Sequence, residues 1–151
     1  MCDPILYVTD FSLNSQHALH YASLLASQAK AVLYIVHVSE ALPTPDNPAP
    51  RYHTAPDIIS AELSAKKQIE QLRATQPGVH CIRRILHGQP AQEIINFATE
   101  NKVDLIVMGT HGRTGLVKLL MGSVAEAVVR GATCPVMVVK TPPSADVGKA
   151  I

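Results

Sequence analysis

Five short apolar runs divide the 151-residue chain, at residues 5–8, 31–38, 79–87, 103–108 and 134–139. Continuous, β-branched runs of this kind are typical of strands buried on both faces of a sheet, and the alternation in 79–87 predicts a more exposed strand. In four stretches between the runs, apolar residues recur at intervals of three and four, which predicts helices with one buried face. Strands and helices therefore alternate along the chain.

Start and stop signals give these helices approximate ends. The first follows an N-cap at Ser12 or Asn14 and ends at about Lys30, and the second begins at Asp57 and ends at the "QPG" of 76–78. The third has Pro90 in its first turn, and the fourth runs over 123–130 with Gly131 as its stop. On the second and third helices we expect these residues to face inward: Ile58, Ala61, Leu63, Ala65, Ile69, Leu72, Ile94, Ile95 and Ala98.

Alternation of strands with helices predicts an α/β fold in which a five-stranded parallel sheet lies between two helical layers, because right-handed crossovers place helices on both faces. The length suits a single domain spanning 1–151. Five prolines fall in 39–56, which predicts a long loop or excursion, and 141–151 is expected to be a loose tail.

Composition narrows the class of protein. Hydrophobic residues make up 47% of the chain and charged residues 17%, which indicates a globular domain. A net charge of +1, few aromatic residues and no Trp give no basis for nucleic-acid binding. The cysteines are odd in number and lack a CxxC pair, which favours a reducing compartment. With no apolar run long enough to span a membrane, we expect a cytoplasmic protein.

Glycines mark the connection between the fourth strand and the fourth helix. Gly109 and Gly112 permit positive φ values and close backbone approach, so that consecutive N–H groups can turn toward one anion. Gly122 and Ser123 begin a helix, whose unpaired N–H groups and dipole favour a phosphate. The alternative is that these glycines serve only turns and helix packing.

The affinity expected of a phosphate-binding loop indicates how many N–H groups it must supply. Micromolar binding needs about 8 kcal/mol, and a charge-assisted hydrogen bond supplies about 1.5–3 kcal/mol, so about three or four aligned N–H groups are needed. Other phosphate-binding loops do not fit. The chain has no GxxxxGK[ST] motif, and the first strand is followed by "TDFSLNS" rather than by GxGxxG.

The pattern Gly109-x2-Gly112-x9-Gly122-Ser123 resembles the nucleotide-binding signature of the universal stress protein family. The resemblance extends to "ILYVTDFSLNS" from Ile5, "YIVHV", "HGQPAQEII" and "CPVMVV", and so covers about 3–140. It implies the strand order 3-2-1-4-5, with a cleft between the ends of the first and fourth strands. It also implies an adenine nucleotide as ligand, usually ATP, with ADP and AMP left open.

The resemblance further implies roles for individual residues. Asp10 would accept hydrogen bonds from ribose or adenine, the backbone of Thr9 and Val38 would hold the base, and Gly109 would lie against the ribose. The phosphates would lie in a cradle formed by a set of loop and helix residues, namely Gly112, Gly122, Ser123 and Val124, with His111 and Arg113 nearby.

Three of these side chains have plainer interpretations. Asp10 is equally suited to an Asx turn or a helix cap. Arg113 is a good bidentate phosphate donor, but a solvated loop arginine fits its position as well. His111 can instead hydrogen-bond to neighbouring backbone.

We expect no catalytic residues and no protein-built metal site. The first carboxylate after the glycines is Glu126, one turn inside the helix, so hydrolysis of ATP should be slow at most, and Mg²⁺ or Mn²⁺ should be held mainly by phosphates and water. His17 and His20 lie at i, i+3 but lack partner ligands, and we expect them to face solvent. Cys134 is interpreted as a small buried hydrophobe.

The last strand predicts a partner. An apolar strand at a sheet edge invites pairing, and the resemblance implies a homodimer through antiparallel contact of residues Pro135 to Val139. Three functions remain open: a nucleotide-binding stress or signalling regulator that acts on an unidentified partner, a slow ATPase or phosphotransferase, and a dimeric interaction module without ligand.

Overall fold

The computed structural model describes residues 3–40, 42, 45, 54–110 and 121–141. Its strands form a single parallel sheet in the order β3-β2-β1-β4-β5, which confirms the predicted fold class and strand order. The strands are β1 (Ile5–Val8), β2 (Leu33–Ser39), β3 (Cys81–His87), β4 (Leu105–Gly109) and β5 (Val136–Val139). The helices are α1 (Leu13–Ala29), α2 (Ala55–Gln71), α3 (Pro90–Glu100) and α4 (Ser123–Gly131).

Two hydrophobic cores lie on opposite faces of the sheet. Successive residues of β1 alternate between them, with Tyr7 packed in the core beneath α1 and Leu6 in the core beneath α3 and α4. Both side chains are fully buried. The central strand is therefore apolar on both sides, as its sequence predicted.

Caps explain where the first two helices begin. Ser12 caps α1 by accepting a hydrogen bond from the Ser15 amide at 3.2 Å, which confirms one of the two predicted caps. Helix α2 starts at Ala55, two residues before the predicted Asp57, because Thr54 provides the N-cap and Pro56 fits the first turn.

Helix α2 ends at Gln71, before the predicted "QPG". Its terminal carbonyls are bound by a side chain from the neighbouring strand: Arg83 Nε donates to Ile69 O at 3.1 Å and to Leu72 O at 3.2 Å. A side chain from β3 therefore caps the last carbonyls of this helix.

One packing prediction and one helix boundary were wrong. Leu63 is 63% exposed rather than buried, since the buried side of α2 follows Ala65 and Ile69. Gly131 is the last residue of α4 rather than a stop beyond it. A Cβ at Gly131 would lie 2.6 Å from Cδ1 of Ile95, so the glycine permits close contact with α3.

The sheet has β3 and β5 at its two edges. Strand β5 begins at Val136, so Pro135 lies just before it rather than within it. Across the described ranges, no helix has both the length and the apolar character needed to cross a membrane.

Candidate functional site

A cavity of about 370 Å³ opens at the carboxyl ends of the central strands. Strand β1 pairs with β2 on one side and with β4 on the other, so this is where the strand order reverses and where ligands bind in open α/β sheets. The cavity brings together most of the predicted site residues, namely Thr9, Asp10, Val38, Gly109, Gly122, Ser123 and Val124. His111, Gly112 and Arg113 lie outside the described residues.

The turn after β1 holds Asp10 at the cavity wall. Its Oδ1 accepts a hydrogen bond from the Ser12 amide at 2.9 Å, which is the Asx turn considered from sequence. Phe11 adopts a φ of 65°, and its amide donates to Thr9 Oγ1 at 2.9 Å. The turn directs a half-buried carboxylate toward the cavity, so the turn and ligand interpretations of Asp10 are compatible.

Thr9 has its backbone groups hydrogen-bonded within the chain. Its amide donates to Val36 O at 2.9 Å, and its carbonyl accepts from His37 Nδ1 at 2.9 Å. The His37 ring lies 4.4 Å from the ring of Phe11, centroid to centroid. Val38 lies two residues beyond the last pair between β1 and β2, so its backbone extends past the end of β1.

Gly109, the last residue of β4, fulfils one of the two predicted roles, close backbone approach, although toward α1, and not the other, positive φ. Positive φ occurs at Gly78 and Gly88 among the described glycines, and Gly109 does not adopt it. Instead, a Cβ at Gly109 would lie 3.1 Å from the Asn14 carbonyl oxygen and 3.4 Å from the Ser15 amide. The missing side chain lets β4 approach the first turn of α1, which forms part of the cavity floor.

The first turn of α4 faces the cavity. Gly122 is its N-cap, at φ −70° and ψ 163°, and no side chain caps the helix. The Gly122 amide donates to Thr110 O at 2.6 Å, and the first helical bond runs from Glu126 N to Gly122 O. The amides that precede this bond belong to Ser123, Val124 and Ala125, three residues that all line the cavity.

Part of the cavity wall was missed by sequence reasoning. Strand β2 contributes His37 and Ser39, and Glu40 follows directly after it. Helix α2 contributes a stripe at helical spacing, namely Ala61, Ser64, Ala65 and Gln68. The polar residues that follow β2 carried a signal, since carboxyl ends of parallel strands share one edge. Helix α2 carried none, because it follows a long proline-rich segment and its position depends on tertiary packing.

A polar cluster joins this wall to the sheet. Ser39 Oγ donates to Glu62 Oε1 at 2.5 Å, and His87 Nε2 lies 2.9 Å from Glu62 Oε2. Burial raises the pKa of the Glu62 carboxyl, but hydrogen bonds from Ser39 and His87 and the charges of His87 and His37 outweigh it, so the pKa is lowered overall.

Tyr7 lies beneath the turn after β1. Its hydroxyl donates to Ser15 O at 2.6 Å, which ties the strand to the first turn of α1. Burial raises the pKa of this phenol, and hydrogen bonds with Thr9 and Ser15 oppose the rise. The group is therefore a neutral donor that supports the cavity floor.

Other candidate chemistry does not converge on the cavity. His20 is exposed as predicted, while His17 is half-buried with its ring 5.5 Å from that of Tyr21. Cys134 is half-buried rather than buried, and desolvation raises the pKa of its thiol. In the part of the chain that the structure describes, no three His, Cys, Asp or Glu side chains are grouped to hold a metal ion.

This fold defines a doubly wound α/β protein with a cavity at the switch point of its sheet. The family model described as "Universal stress protein family" matches residues 1–140, and the chain belongs to that family. A universal stress protein of Methanocaldococcus jannaschii is 39% identical over 140 residues, which cover 91% of this chain and 82% of the relative. Universal stress protein YxiE of Bacillus subtilis is 32% identical over 148 residues, with 93% and 100% covered.

Solved structures agree in fold. The universal stress protein UspA of Lactobacillus plantarum superimposes with a TM-score of 0.76 at 26% identity, covering 91% of this chain and 97% of the other. A universal stress protein of Archaeoglobus fulgidus was solved with dAMP, and it matches with a TM-score of 0.63 at 25% identity, covering 90% and 96%. Another universal stress protein, solved with cAMP, matches with a TM-score of 0.60 at 26% identity, covering 91% and 96%.

Proposed function

We propose that this protein binds an adenine nucleotide, foremost ATP, in the cavity at the ends of β1 and β4, and that it acts as a dimeric stress-response or signalling regulator. The observation that carries the proposal is the pairing of two unlike groups in one cavity. The Asp10 carboxylate lines it beside β1, and the first turn of α4 lines it beside β4. A carboxylate suits a ribose or an amino group, whereas a helix N-terminus suits phosphate.

The described residues suggest how the nucleotide lies. The base and ribose occupy the side formed by Asp10, Thr9 and Val38, and the phosphates meet the amides of Ser123 to Ala125. Because the Gly122 amide is bound to Thr110 O, the three following amides carry this contact. His111, Gly112 and Arg113 complete the phosphate cradle in the proposal. Three amides approach the number that micromolar affinity requires.

A divalent cation fits this arrangement as part of the ligand. Grouped protein ligands for a metal are lacking among the described residues, so Mg²⁺ or Mn²⁺ is held through phosphate oxygens and water. The cation neutralises phosphate charge, and the chain's own residues orient the nucleotide.

A regulator fits the cavity better than a dedicated ATPase. Glu126, the first carboxylate of α4, is exposed and forms an ion pair with Arg130 at 2.8 Å, so it does not face the cavity. Asp10 is assigned to the ribose or adenine in this proposal and not to the γ-phosphate. A general base for attack on the γ-phosphate is therefore not part of the proposal, and we expect steady-state turnover well below about one per second.

The dAMP and cAMP complexes of related universal stress proteins support an adenine nucleotide as ligand. Both ligands share the adenine and one phosphate, which matches a site with a nucleoside side and an anion side. The choice of ATP, which has three phosphates, rests on the three amides of Ser123, Val124 and Ala125 at the start of α4.

Dimerisation completes the proposed function, and it rests on the edge strand β5. Val136, Met137 and Val138 remain half-buried although all are apolar. The Ile106 amide donates to Pro135 O, and the Thr110 amide donates to Val139 O. Because odd-numbered residues of β5 direct their backbone groups to β4, those of Val136 and Val138 point away from it and suit a second copy of the chain.

The test of the nucleotide site is calorimetry with ATP and Mg²⁺, together with mass spectrometry of any small molecule released on denaturation. In Ser123→Asp, a carboxylate stands at the first position of α4, where it stabilises the helix but repels phosphate. We expect ATP affinity to fall at least tenfold with the melting temperature unchanged or raised. Ser60→Asp, exposed on α2 away from the cavity, is the matched control. Absence of ATP binding by the wild-type protein would refute the proposed function.

A further inference from the structure

Helix α2 forms one wall of the cavity but is anchored unevenly. Toward its C-terminus it is held by the buried side chains of Ala65 and Ile69 and by the Arg83 guanidinium on its last carbonyls. Its N-terminal half is different. Ile59 and Leu63 are 59% and 63% exposed, and the Thr54 cap bonds to Asp57 within the helix rather than to the sheet.

Glu62 supplies a polar connection from this weakly packed half to the sheet. Its two carboxylate oxygens are used in different directions: Oε1 accepts from Ser39 Oγ at 2.5 Å, and Oε2 accepts from His87 Nε2 at 2.9 Å. Ser39 is the last residue of β2, and His87 is the last residue of β3. One side chain therefore links α2 to the carboxyl ends of two adjacent strands.

The two strand ends are also held together. The Gly88 amide, next to His87, donates to Ser39 O at 3.2 Å. Ser39 is buried and lines the cavity. Ala61 and Ala65, which lie one residue before Glu62 and three residues after it on α2, line the cavity as well. The link therefore lies next to residues that form the cavity wall.

We propose that Glu62 is a positioning residue of the nucleotide site: by bridging Ser39 and His87 it pins the α2 wall against the ends of β2 and β3. The inference rests on the proposed function for its ligand. Since α2 lies on the side of Asp10 and Val38, the wall acts on the nucleoside, whereas α4 acts on the phosphates. Because the wall is already formed, nucleotide binding does not have to overcome the entropy cost of ordering α2.

The test compares Glu62→Ala with Glu70→Ala, an exposed glutamate on the same helix. Native-state hydrogen exchange is measured without nucleotide, and the affinities for AMP and ATP are measured separately. We expect Glu62→Ala to speed exchange of the N-terminal half of α2 about tenfold and to weaken AMP and ATP by the same factor, about tenfold. Glu70→Ala should change neither.

Two further variants separate positioning from a general loss of structure. Glu62→Gln keeps an acceptor for Ser39, so it should recover part of the exchange protection and part of the affinity. Ser123→Asp should weaken ATP more than AMP, in contrast to Glu62→Ala. Unchanged α2 exchange or unchanged AMP affinity in Glu62→Ala overturns the role of Glu62, whereas a wild-type protein that binds neither nucleotide overturns the proposed function instead.

Discussion

The two halves of the molecule on either side of β1 build the cavity in different ways. On the β4 side, the cavity is formed mainly by backbone: Gly109 lets β4 approach α1, and the first turn of α4 presents amides. On the β2 side, it is supported by side chains: His37, Ser39 and Glu62 connect strand ends and α2. The glycines of the β4 side stand out in the sequence, whereas the contact between Ser39 and Glu62 joins distant segments and becomes visible only in the fold.

The largest expected effect is a loss of ATP affinity on substitution of Gly122, one of two glycines on the β4 side that we expect to respond differently. Gly122 has φ −70°, which any residue adopts, so Gly122→Val should keep the fold while its side chain enters the cavity beside the α4 amides. We expect ATP affinity to fall about a hundredfold or more, which calorimetry measures.

Gly109→Ala is the contrasting variant. Its Cβ meets backbone of Asn14 at 3.1 Å, so the whole domain should lose about 1–3 kcal/mol, measured by urea unfolding. Equal losses of stability in the two variants would contradict the distinction between a site glycine and a packing glycine.

A second prediction concerns the outer edge of the β4 half. Val138→Pro removes an N–H that points away from β4, so it should leave the sheet intact while it disrupts pairing between two β5 strands. We expect the dimer dissociation constant to rise about tenfold, measured by sedimentation or light scattering over a concentration series. A wild-type protein that is monomeric at tens of micromolar would contradict the proposed interface.

The smallest expected effect concerns the β2 side and is a change in how the free energy of unfolding depends on pH. Because the folded-state pKa of Glu62 lies below its ordinary value of 4.5, the ionised carboxylate contributes stability that is present above that value and is lost as the pH falls through the folded pKa. The groups that face it are His87 from β3 and His37 from β2.

Glu62→Gln should therefore be less stable than the wild type by about 1 kcal/mol at neutral pH, after allowance for partial exposure. The difference should shrink as the pH falls below 4.5 and disappear once the pH is below the folded-state pKa of Glu62. Urea unfolding of both proteins from pH 7 to pH 3 measures it. A difference that persists unchanged at the acid end would show that the lost contact is not ionic.

Local pattern was sufficient for most of the fold because each strand and helix carries its own periodicity. The five apolar runs and the Ser12 cap are examples, and all five strands formed where predicted to within a few residues. The boundaries that differed have local and distant causes. Thr54 and Pro56 start α2 earlier than predicted, whereas Arg83 from β3 binds its last carbonyls, and Ile95 of α3 explains the glycine at position 131.

The candidate site divides along the same line. Asp10, Gly109 and Gly122 follow strands or precede a helix, so their position in sequence placed them at one edge of a parallel sheet. The wall formed by α2 had no such marker. Helix α2 is separated from Ser39 by a segment without periodicity. Its position on the sheet depends on contacts of Ile69, Arg83 and Glu62.

By itself, then, the amino-acid order determined which segments become strands and in what sequence they alternate with helices, and it placed Gly109 and Gly122 at the junction between β4 and α4. These are short-range properties of periodicity and backbone freedom. Only the tertiary structure decided that the Gly122 amide is bound to Thr110 and that Glu62 lies between Ser39 and His87. Contacts between distant segments depend on how whole elements pack, and no local pattern encodes that packing.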